Sequence, residues 1–422
     1  MKILHLTTQD SGGAGRATLR LHKALLEQNI HSYIFTLHKT SDLSSVQNVD
    51  SSKFQMLTSF VRKGYAQLPS FFYKNRQKDV FSSHFALRNP SLIKKIKALN
   101  PDIIHLHWIN AGFLHLKDLL ALKKPILWSL HDENPYTGGC HYTMGCKNFQ
   151  TQCQSCPKLG SDSKRDLSYK TFKQKQKIYP KLNLTINGLS TWIAAQAKHS
   201  ALLKNAPIIN LPNPIDTKIF HPIAKKTARE IFGFSQEKIL IGFGAKEATS
   251  VPRKGYQELI AALSLLENKE RYLLVVFGAS SGKAIPGLQT HFLGHLFDDV
   301  SLTLLYNCLD LYITSSLEEN LSNTIMESLA CGTPVVAFAI GGNGDMITHK
   351  YNGYLAKDVS DLKNGILFVQ GRKDLSQNAR KSVERFAAPR VAKEYLLMYT
   401  KIMGGGRDDS TCALFKPADP IS

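Results

Sequence analysis

The chain has 422 residues, 43% of them apolar and 20% charged, with 53 Lys+Arg against 33 Asp+Glu and a formal net charge of +20. That composition excludes disordered and collagen-like chains and suits a soluble globular protein with room for two domains. No window reaches the roughly 18 consecutive apolar residues of a membrane-spanning helix, the opening apolar stretch is too short for a secretory signal, and the seven cysteines are too few and too uneven for a disulfide scaffold. The expected compartment is therefore the cytoplasm, where disulfides are disfavoured.

In chain order, short apolar runs at 2–6 (KILHL), 32–37 (SYIFTL), 103–107 (IIHLH) and 126–130 (ILWSL) read as strands, with helical patterns at 17–28 and 91–99 between them. After Pro212, Asn213 and Pro214 a second series follows at 239–244, 272–278, 290–294, 310–315 and 334–339, with helices over 256–266 and 300–309. Alternating strands and helices imply parallel sheets covered on both faces, so two doubly wound α/β domains are expected. Their division is placed at 1–205, including a Cys-rich loop at 136–160, and 206–390. A C-terminal helix over 391–403 is expected to cross back to the first domain, and 404–422 reads as a disordered tail.

The charge is lopsided. Residues 1–185 hold 27 Lys+Arg and 11 Asp+Glu, a net of +16, whereas the remainder holds 26 and 22, a net of +4. The dense stretches are Lys74, Arg76, Lys78; Lys94, Lys95, Lys97; and Lys164 to Lys181, where Lys170, Lys173, Lys175 and Lys177 share one expected helix. Any one of these reads first as a solvated face; together they suggest a polyanion, an anionic membrane or phosphorylated small molecules as partners.

The segment DLYITSSLEENLSNTIMESLACGTPVVAF reads as strand, loop, helix, glycine stop and strand, with Gly332 as a left-handed helix cap. Glu319 lies in the loop before the helix and Glu327 eight positions later within it. Backbone N–H groups around Asn320, Leu321, Ser322 and Asn323 would form the positive helix end, a seat for phosphate. A carboxylate on each side of that seat can accept hydrogen bonds from sugar hydroxyls; two solvated glutamates on an exposed helix are the competing reading.

This segment resembles the E-x7-E region of retaining glycosyltransferases of the GT-B fold, family 4. Further stretches are similar to the same family: KILHLTTQDSGGAGRATLRLHKAL with Gly12 and Gly13 in its glycine-rich loop, DIIHLHW, and ILWSLHDENPYTGGCHY with His131 at a strand end. LSTWIAAQAKHSALL with LPNPIDTKIFHP, ATSVPRKGYQELIAAL, and AIGGNGDMITHKYNGYLA continue the likeness to about residue 400. The resemblance implies two Rossmann-like domains facing each other across a cleft, an N-terminal acceptor domain and a C-terminal donor domain. By position it makes Glu319 the contact to the donor sugar, Glu327 the contact to the ribose, and Lys254 the cation on the diphosphate. Ala245 stands where the family usually has an arginine, leaving Arg253 or Lys246 to supply the second cation. His131 is the expected contact to the sugar or acceptor near the reacting carbon, although a lone histidine is more often a satisfied structural one.

Breaking a sugar–diphosphate bond develops negative charge on the leaving phosphate, which placed cations and a helix end stabilise. No Asp-x-Asp occurs in the chain, so no catalytic divalent metal is expected, and retention in the family's manner would use the leaving phosphate itself to deprotonate the acceptor. The expected activity is transfer of a hexose from a nucleotide diphosphate sugar to a glycan, with a lipid-linked intermediate of a surface polysaccharide as acceptor and the basic acceptor domain resting on the anionic inner face of the cell membrane.

Cys140, Cys146, Cys153 and Cys156 fall within 17 residues as C-x5-C-x6-C-x2-C. Four thiolates in one short loop can close a tetrahedral structural zinc site, with disulfides and free thiols as the competing states. Cys308 and Cys331 sit in apolar helical contexts and read as packing residues. A sugar-nucleotide epimerase or a phosphorylase could use the same architecture, but the ring acid/base pair and the lysine-bound pyridoxal site these need cannot be placed. A basic polyanion-binding protein explains the charge, yet no zinc-finger, RNP or helix-turn-helix pattern accompanies it and no specific nucleic acid is expected.

Overall fold

Two switch points, one in each of two parallel sheets, organise the molecule. A computed structural model describes residues 1–404 apart from 51, 78, 79, 84, 246 and 297; the tail expected beyond 404 lies outside the described residues. The chain divides into two units, Met1–Pro212 joined by the helix from Val391, and Asn213–Arg390.

The first unit contains β1 (Lys2–Leu6), α1 (Gly12–Glu27), β2 (His31–Thr36), β3 (Val46–Asn48), α2 (Lys53–Phe71), α3 (Pro90–Leu99), β4 (Ile103–Leu106), α4 (Leu116–Leu119), β5 (Ile126–Leu130), α5 (Leu167–Ile178), β6 (Leu184–Gly188), α6 (Thr191–His199) and β7 (Ile208–Asn210). Its parallel sheet has the order β3-β2-β1-β4-β5-β6-β7. The second unit contains α7 (Lys225–Phe232), β8 (Ile239–Gly244), α8 (Tyr256–Ser264), β9 (Tyr272–Phe277), β10 (Gln289–Phe292), α9 (Asp299–Cys308), β11 (Leu311–Thr314), α10 (Asn323–Ala330), β12 (Val335–Phe338), α11 (Asn343–Met346), β13 (Gly353–Ala356), α12 (Val359–Val369) and α13 (Lys373–Ser382), before α14 (Ala388–Met403). Its parallel sheet runs β10-β9-β8-β11-β12-β13. Order reverses between β1 and β4 in one sheet and between β8 and β11 in the other, and ligands of such sheets bind outside the carboxyl ends of the strands there.

The expected strands at 2–6, 126–130 and 239–244 coincide with β1, β5 and β8, and the others shift by one or two residues at their ends. Four strands go beyond the sequence reading: β3, β6, β7 and β13. They carry Thr, Asn, Gln or Gly inside very short runs, as in LTING, and so lack the apolar continuity that marks a buried parallel strand.

Along the first sheet the two-residue period separates two chemistries. Leu4, Leu6, Ile104, Leu106, Ile126, Trp128 and Leu130 build an apolar core on one side. On the other, His5 pairs in register with His105, His105 bonds through its two ring nitrogens to Ser129 Oγ and Tyr399 OH, each at 2.8 Å, and Asn187 Nδ2 reaches Tyr395 OH at 2.8 Å and Ser129 Oγ at 3.0 Å. This polar layer docks α14 onto the sheet. His105, Ser129, Asn187, Tyr395 and Tyr399 are tolerated there because they satisfy one another, whereas His5 Nε2 is buried without a partner.

Among the described residues no helix is long and apolar enough to cross a membrane. The free thiols include Cys308 and Cys331, both buried as packing residues. One charge expectation fails: Lys175 of α5 is 4% exposed, not on a solvated face. Its ammonium donates to the carbonyls of Asn134 and Thr137, and burial pulls it down to about 8 although nearby thiols and Asp132 favour its charge.

Candidate functional site in two clusters

The second unit gathers the expected donor residues at the carboxyl ends of β8 and β11. The loop after β11 is fastened to the Pro252–Lys254 turn by one backbone and one side-chain link: Leu317 N–H donates to the Arg253 carbonyl at 2.8 Å, and the Arg253 guanidinium donates through Nη1 to the Glu318 carbonyl at 2.7 Å. Gly255 makes this approach possible. It has φ +72°, and a Cβ there would lie 1.7 Å from the Ser315 carbonyl oxygen, a conformation and a spacing that only glycine accepts.

The result is an ion pair between distant parts of the chain. Lys254 Nζ lies 2.8 Å from Glu319 Oε2, with Arg253 Nη1 at 3.8 Å from the same oxygen. Burial alone would raise the Glu319 carboxyl; Lys254 and then Arg253, with hydrogen bonds from Lys254 and Ser316, outweigh it and bring it down to about 2. Lys254 is itself lowered, because burial costs its ammonium more than Glu319 returns while Arg253 adds like-charge repulsion. The cluster is thus a compact, charged and partly water-shielded group.

Glu319 is held from behind as well. Gly342 N–H donates to its carbonyl at 3.1 Å, and Gly341, at φ +50°, brings its backbone so close that a Cβ would sit 1.9 Å from that oxygen. Asn320, Leu321 and Ser322 form the buried approach to α10. Ser322 is the N-cap residue but makes no side-chain cap bond; its hydroxyl pairs with Thr324 Oγ1 at 2.9 Å. Gly332 ends α10 at φ +76°, as the sequence reading expects. Glu327 is fully buried within α10 and accepts from Tyr306 OH at 3.0 Å. Ala245 follows β8 directly, and Lys246 lies outside the described residues.

The first unit holds the second cluster, at the ends of β1, β4 and β5. His131 is half-buried, and its Nε2 lies 3.0 Å from His107 Nδ1. His107 Nε2 lies 3.0 Å from His5 Nδ1, so His131 ends a file of imidazoles leading into the sheet. Burial brings His131 down to about 4 against the pull of Asp132, and burial likewise holds His5 and His107 well below the ordinary histidine value. All three are neutral at neutral pH. Among the described residues, His5, His105 and His107 form the group whose ligand-type atoms come within 4.8 Å of one another.

Sequence reasoning missed the residues that shape the turn after His131. Asp132 accepts from Trp108 Nε1 at 2.9 Å and from the Asn134 N–H at 2.9 Å, and pairs with His141 Nδ1 at 2.6 Å. Burial would raise its carboxyl, but His141 and these donors keep it below the usual range. Glu133 accepts from Tyr136 OH at 2.7 Å and from the Thr143 N–H at 2.6 Å. The signal was present in HDENPYTGGCHY, where two acids follow His131 before a Pro and two glycines.

Gly12 begins α1 at φ +69°, whereas a Cβ on Gly13 would meet nothing within 4 Å. The close approach is made by Gly15, where a Cβ would lie 2.5 Å from the Gln9 carbonyl oxygen. Cys140, Cys153 and Cys156 are buried and Cys146 partly so, all as free thiols. Burial first, then neighbouring thiols, pushes Cys140 well up and Cys153 up to about 12.

A family model described as Glycosyltransferase Family 4 matches residues 11–218, and one described as Glycosyl transferases group 1 matches 238–370. The chain belongs to the family 4, group 1 glycosyltransferases. It is 23% identical over 413 residues to a putative colanic acid biosynthesis glycosyl transferase, WcaC, of Escherichia coli (strain K12), covering 93% of this chain and 92% of that protein. Over 168 residues it is 27% identical to an N,N'-diacetylbacillosaminyl-diphospho-undecaprenol alpha-1,3-N-acetylgalactosaminyltransferase of Campylobacter jejuni, covering 37% of this chain and 44% of that one. Among solved structures it resembles Anabaena Alr3699/HepE in complex with UDP and glucose, with a TM-score of 0.62, 17% identity, and coverage of 95% of this chain and 99% of that one. The glycosyltransferase has the GT-B fold.

Proposed function

We propose that this glycosyltransferase moves a hexose, with retention, from a nucleotide diphosphate sugar to a glycan acceptor in surface polysaccharide biosynthesis. The observation that carries the reading is the Lys254–Glu319–Arg253 cluster beside the start of α10. Lys254 and Arg253 face developing phosphate charge, Glu319 accepts from the sugar hydroxyls, and the first N–H groups of α10, which Ser322 does not cap, complete the anion seat. Glu327 stands for the ribose contact; Tyr306 already orients its carboxylate.

In the acceptor unit His131 is the neutral group offered to the sugar or the acceptor. The neighbouring names favour the substrates: a solved relative holds UDP and glucose, one relative's name joins it to colanic acid biosynthesis, and another acts on a diphospho-undecaprenol-linked sugar. We propose for this chain too a lipid-linked acceptor and attachment to an anionic inner membrane face, a reading that its net +16 over residues 1–185 supports. Each Lys or Arg near such a surface contributes about 1 kcal/mol. Among the described residues the thiols of Cys140, Cys146, Cys153 and Cys156 do not form a group with ligand-type atoms within 4.8 Å of one another, so a structural zinc ion in the Cys-rich loop 136–160 would have to draw them together.

Product analysis tests the reading. A retaining transferase releases nucleoside diphosphate in step with acceptor and gives a product with the donor's anomeric configuration by NMR. Inversion, or turnover of the donor to an epimer without nucleotide release, would overturn it.

A further inference from the structure

The largest anomaly outside the two clusters is α2. Exposed large apolar side chains concentrate on it: Phe60 is 76% exposed, Leu57 62%, Met56 61%, Phe71 61% and Leu68 51%, and Phe72, just past its end, is 79% exposed. Their spacing of three and four residues puts them on one face of the helix. That face points away from the protein.

The helix is nonetheless firmly built. Ser52 and Gln55 form a reciprocal capping box at its start. On the opposite face Arg62 is buried, pairs with Asp50, and donates through Nε to the Gly112 carbonyl at 3.2 Å. An amphipathic helix normally turns its apolar stripe to the core. Here a polar anchor faces the protein and the apolar stripe faces outward.

Charge says what covers it. From 51 to 78 the sequence contains no Asp or Glu, but holds Lys53, Arg62, Lys63, Lys74, Arg76 and Lys78. Lys53, Lys63 and Lys74 are exposed around the apolar stripe. Large apolar side chains flanked by cations alone match a surface that is apolar inside and anionic at its rim.

We propose that α2 is an in-plane membrane anchor, whose outward face enters the boundary between headgroups and acyl chains of an anionic phospholipid bilayer while Lys53, Lys63 and Lys74 meet the phosphates. This rests on the membrane-surface reading above and deepens it, because attachment becomes insertion of a named segment instead of diffuse charge attraction. A lipid-linked substrate would thereby be met at the surface where its carrier lies.

The test uses the full chain with vesicles of phosphatidylcholine alone or mixed with phosphatidylglycerol. The triple variant Phe60→Ser, Phe71→Ser, Phe72→Ser removes exposed side chains and one surface cation–π contact, that of Arg76 4.7 Å over the Phe71 ring, so its melting temperature should fall by no more than a few degrees. Wild-type protein should sediment with the anionic vesicles and keep part of that binding in high salt; the triple variant should bind about tenfold less or weaker still. A Phe60→Trp variant should show a blue-shifted emission on the same vesicles. Wild-type binding that the triple variant retains, with no emission shift in Phe60→Trp, overturns the anchor while leaving charge-driven attachment standing. No wild-type binding to either vesicle overturns both. A wild-type dimer that the triple variant converts to monomer, again without vesicle binding, assigns the face to a second copy and overturns the anchor.

Discussion

Replacing Lys254 with Met tests the donor cluster by removing one charge at nearly constant volume. An ordinary glutamate carboxyl at 4.5 held at about 2 corresponds to roughly 3 kcal/mol of preference for the ionised form. That figure is a ceiling on the stability the pair supplies, because Arg253 remains at 3.8 Å and the two side chains are 19% and 13% exposed. The expected loss at pH 7 is therefore about 1–2 kcal/mol, less than for a fully buried pair broken on one side. In a unit of this size it should lower Tm by about 2–4 °C per kcal/mol. The sign with pH is fixed: the folded carboxyl lies below its unfolded value, so the contribution is complete above about 4.5 and fades as pH falls toward 2. Wild type and Lys254→Met should converge in acid. Calorimetry across pH measures this, and titration with the nucleotide sugar that wild type selects from a panel of UDP-, GDP- and ADP-sugars measures the functional side, where loss of the proposed charge-assisted contact to phosphate should weaken binding by about 10–100-fold. Adding Glu319→Gln should recover part of the stability and none of the affinity. A Lys254→Met protein with wild-type melting and wild-type donor affinity would refute the reasoning.

Other consequences can be checked independently. Gly255→Ala forces a side chain into a positive-φ position against the Ser315 carbonyl, and should cost about 2 kcal/mol or more and weaken donor binding in step; a neutral effect on chemical denaturation would contradict the described turn. Buried His22 and half-buried His131 are each held at about 4, so protonation of the unfolded chain should erode stability as pH falls from about 6.5 toward 4, by up to roughly 3 kcal/mol for His22 and less for His131; a melting temperature flat over that interval would count against neutral imidazoles at these positions. Purified protein should carry one zinc ion per chain by elemental analysis, lost together with thermal stability in Cys153→Ser; metal-free protein of unchanged stability would leave the cysteines as packing thiols.

Much of the candidate site in the second unit could be read in the sequence because its parts are local. Glu319, Glu327 and Gly332 stand in one strand–loop–helix segment, and their spacing alone predicts a helix start, a helix interior and a left-handed cap. The partnership of Glu319 with Lys254 was not legible, since it depends on the Pro252–Lys254 turn being fastened across 65 residues of chain. The polar face of the first sheet was hidden for the same reason: Tyr399 reaches His105 across 294 residues, and no local pattern announces that a histidine in a strand will be satisfied by a C-terminal helix. Lys175 and α2 show the limits of periodicity. Each has a face in the sequence, but which face meets the protein was decided by what lay opposite, carbonyls for Lys175 and the Asp50–Gly112 anchor for Arg62.

The most direct test of the central claim is nucleoside diphosphate release from a panel of UDP-, GDP- and ADP-sugars, with and without acceptor glycan, by wild type and by folded Glu319→Ala and Glu327→Ala. The account predicts slow acceptor-free release from one donor class by wild type, strong stimulation by acceptor, and loss of both in the two variants. Undiminished transfer by Glu319→Ala and Glu327→Ala would contradict it.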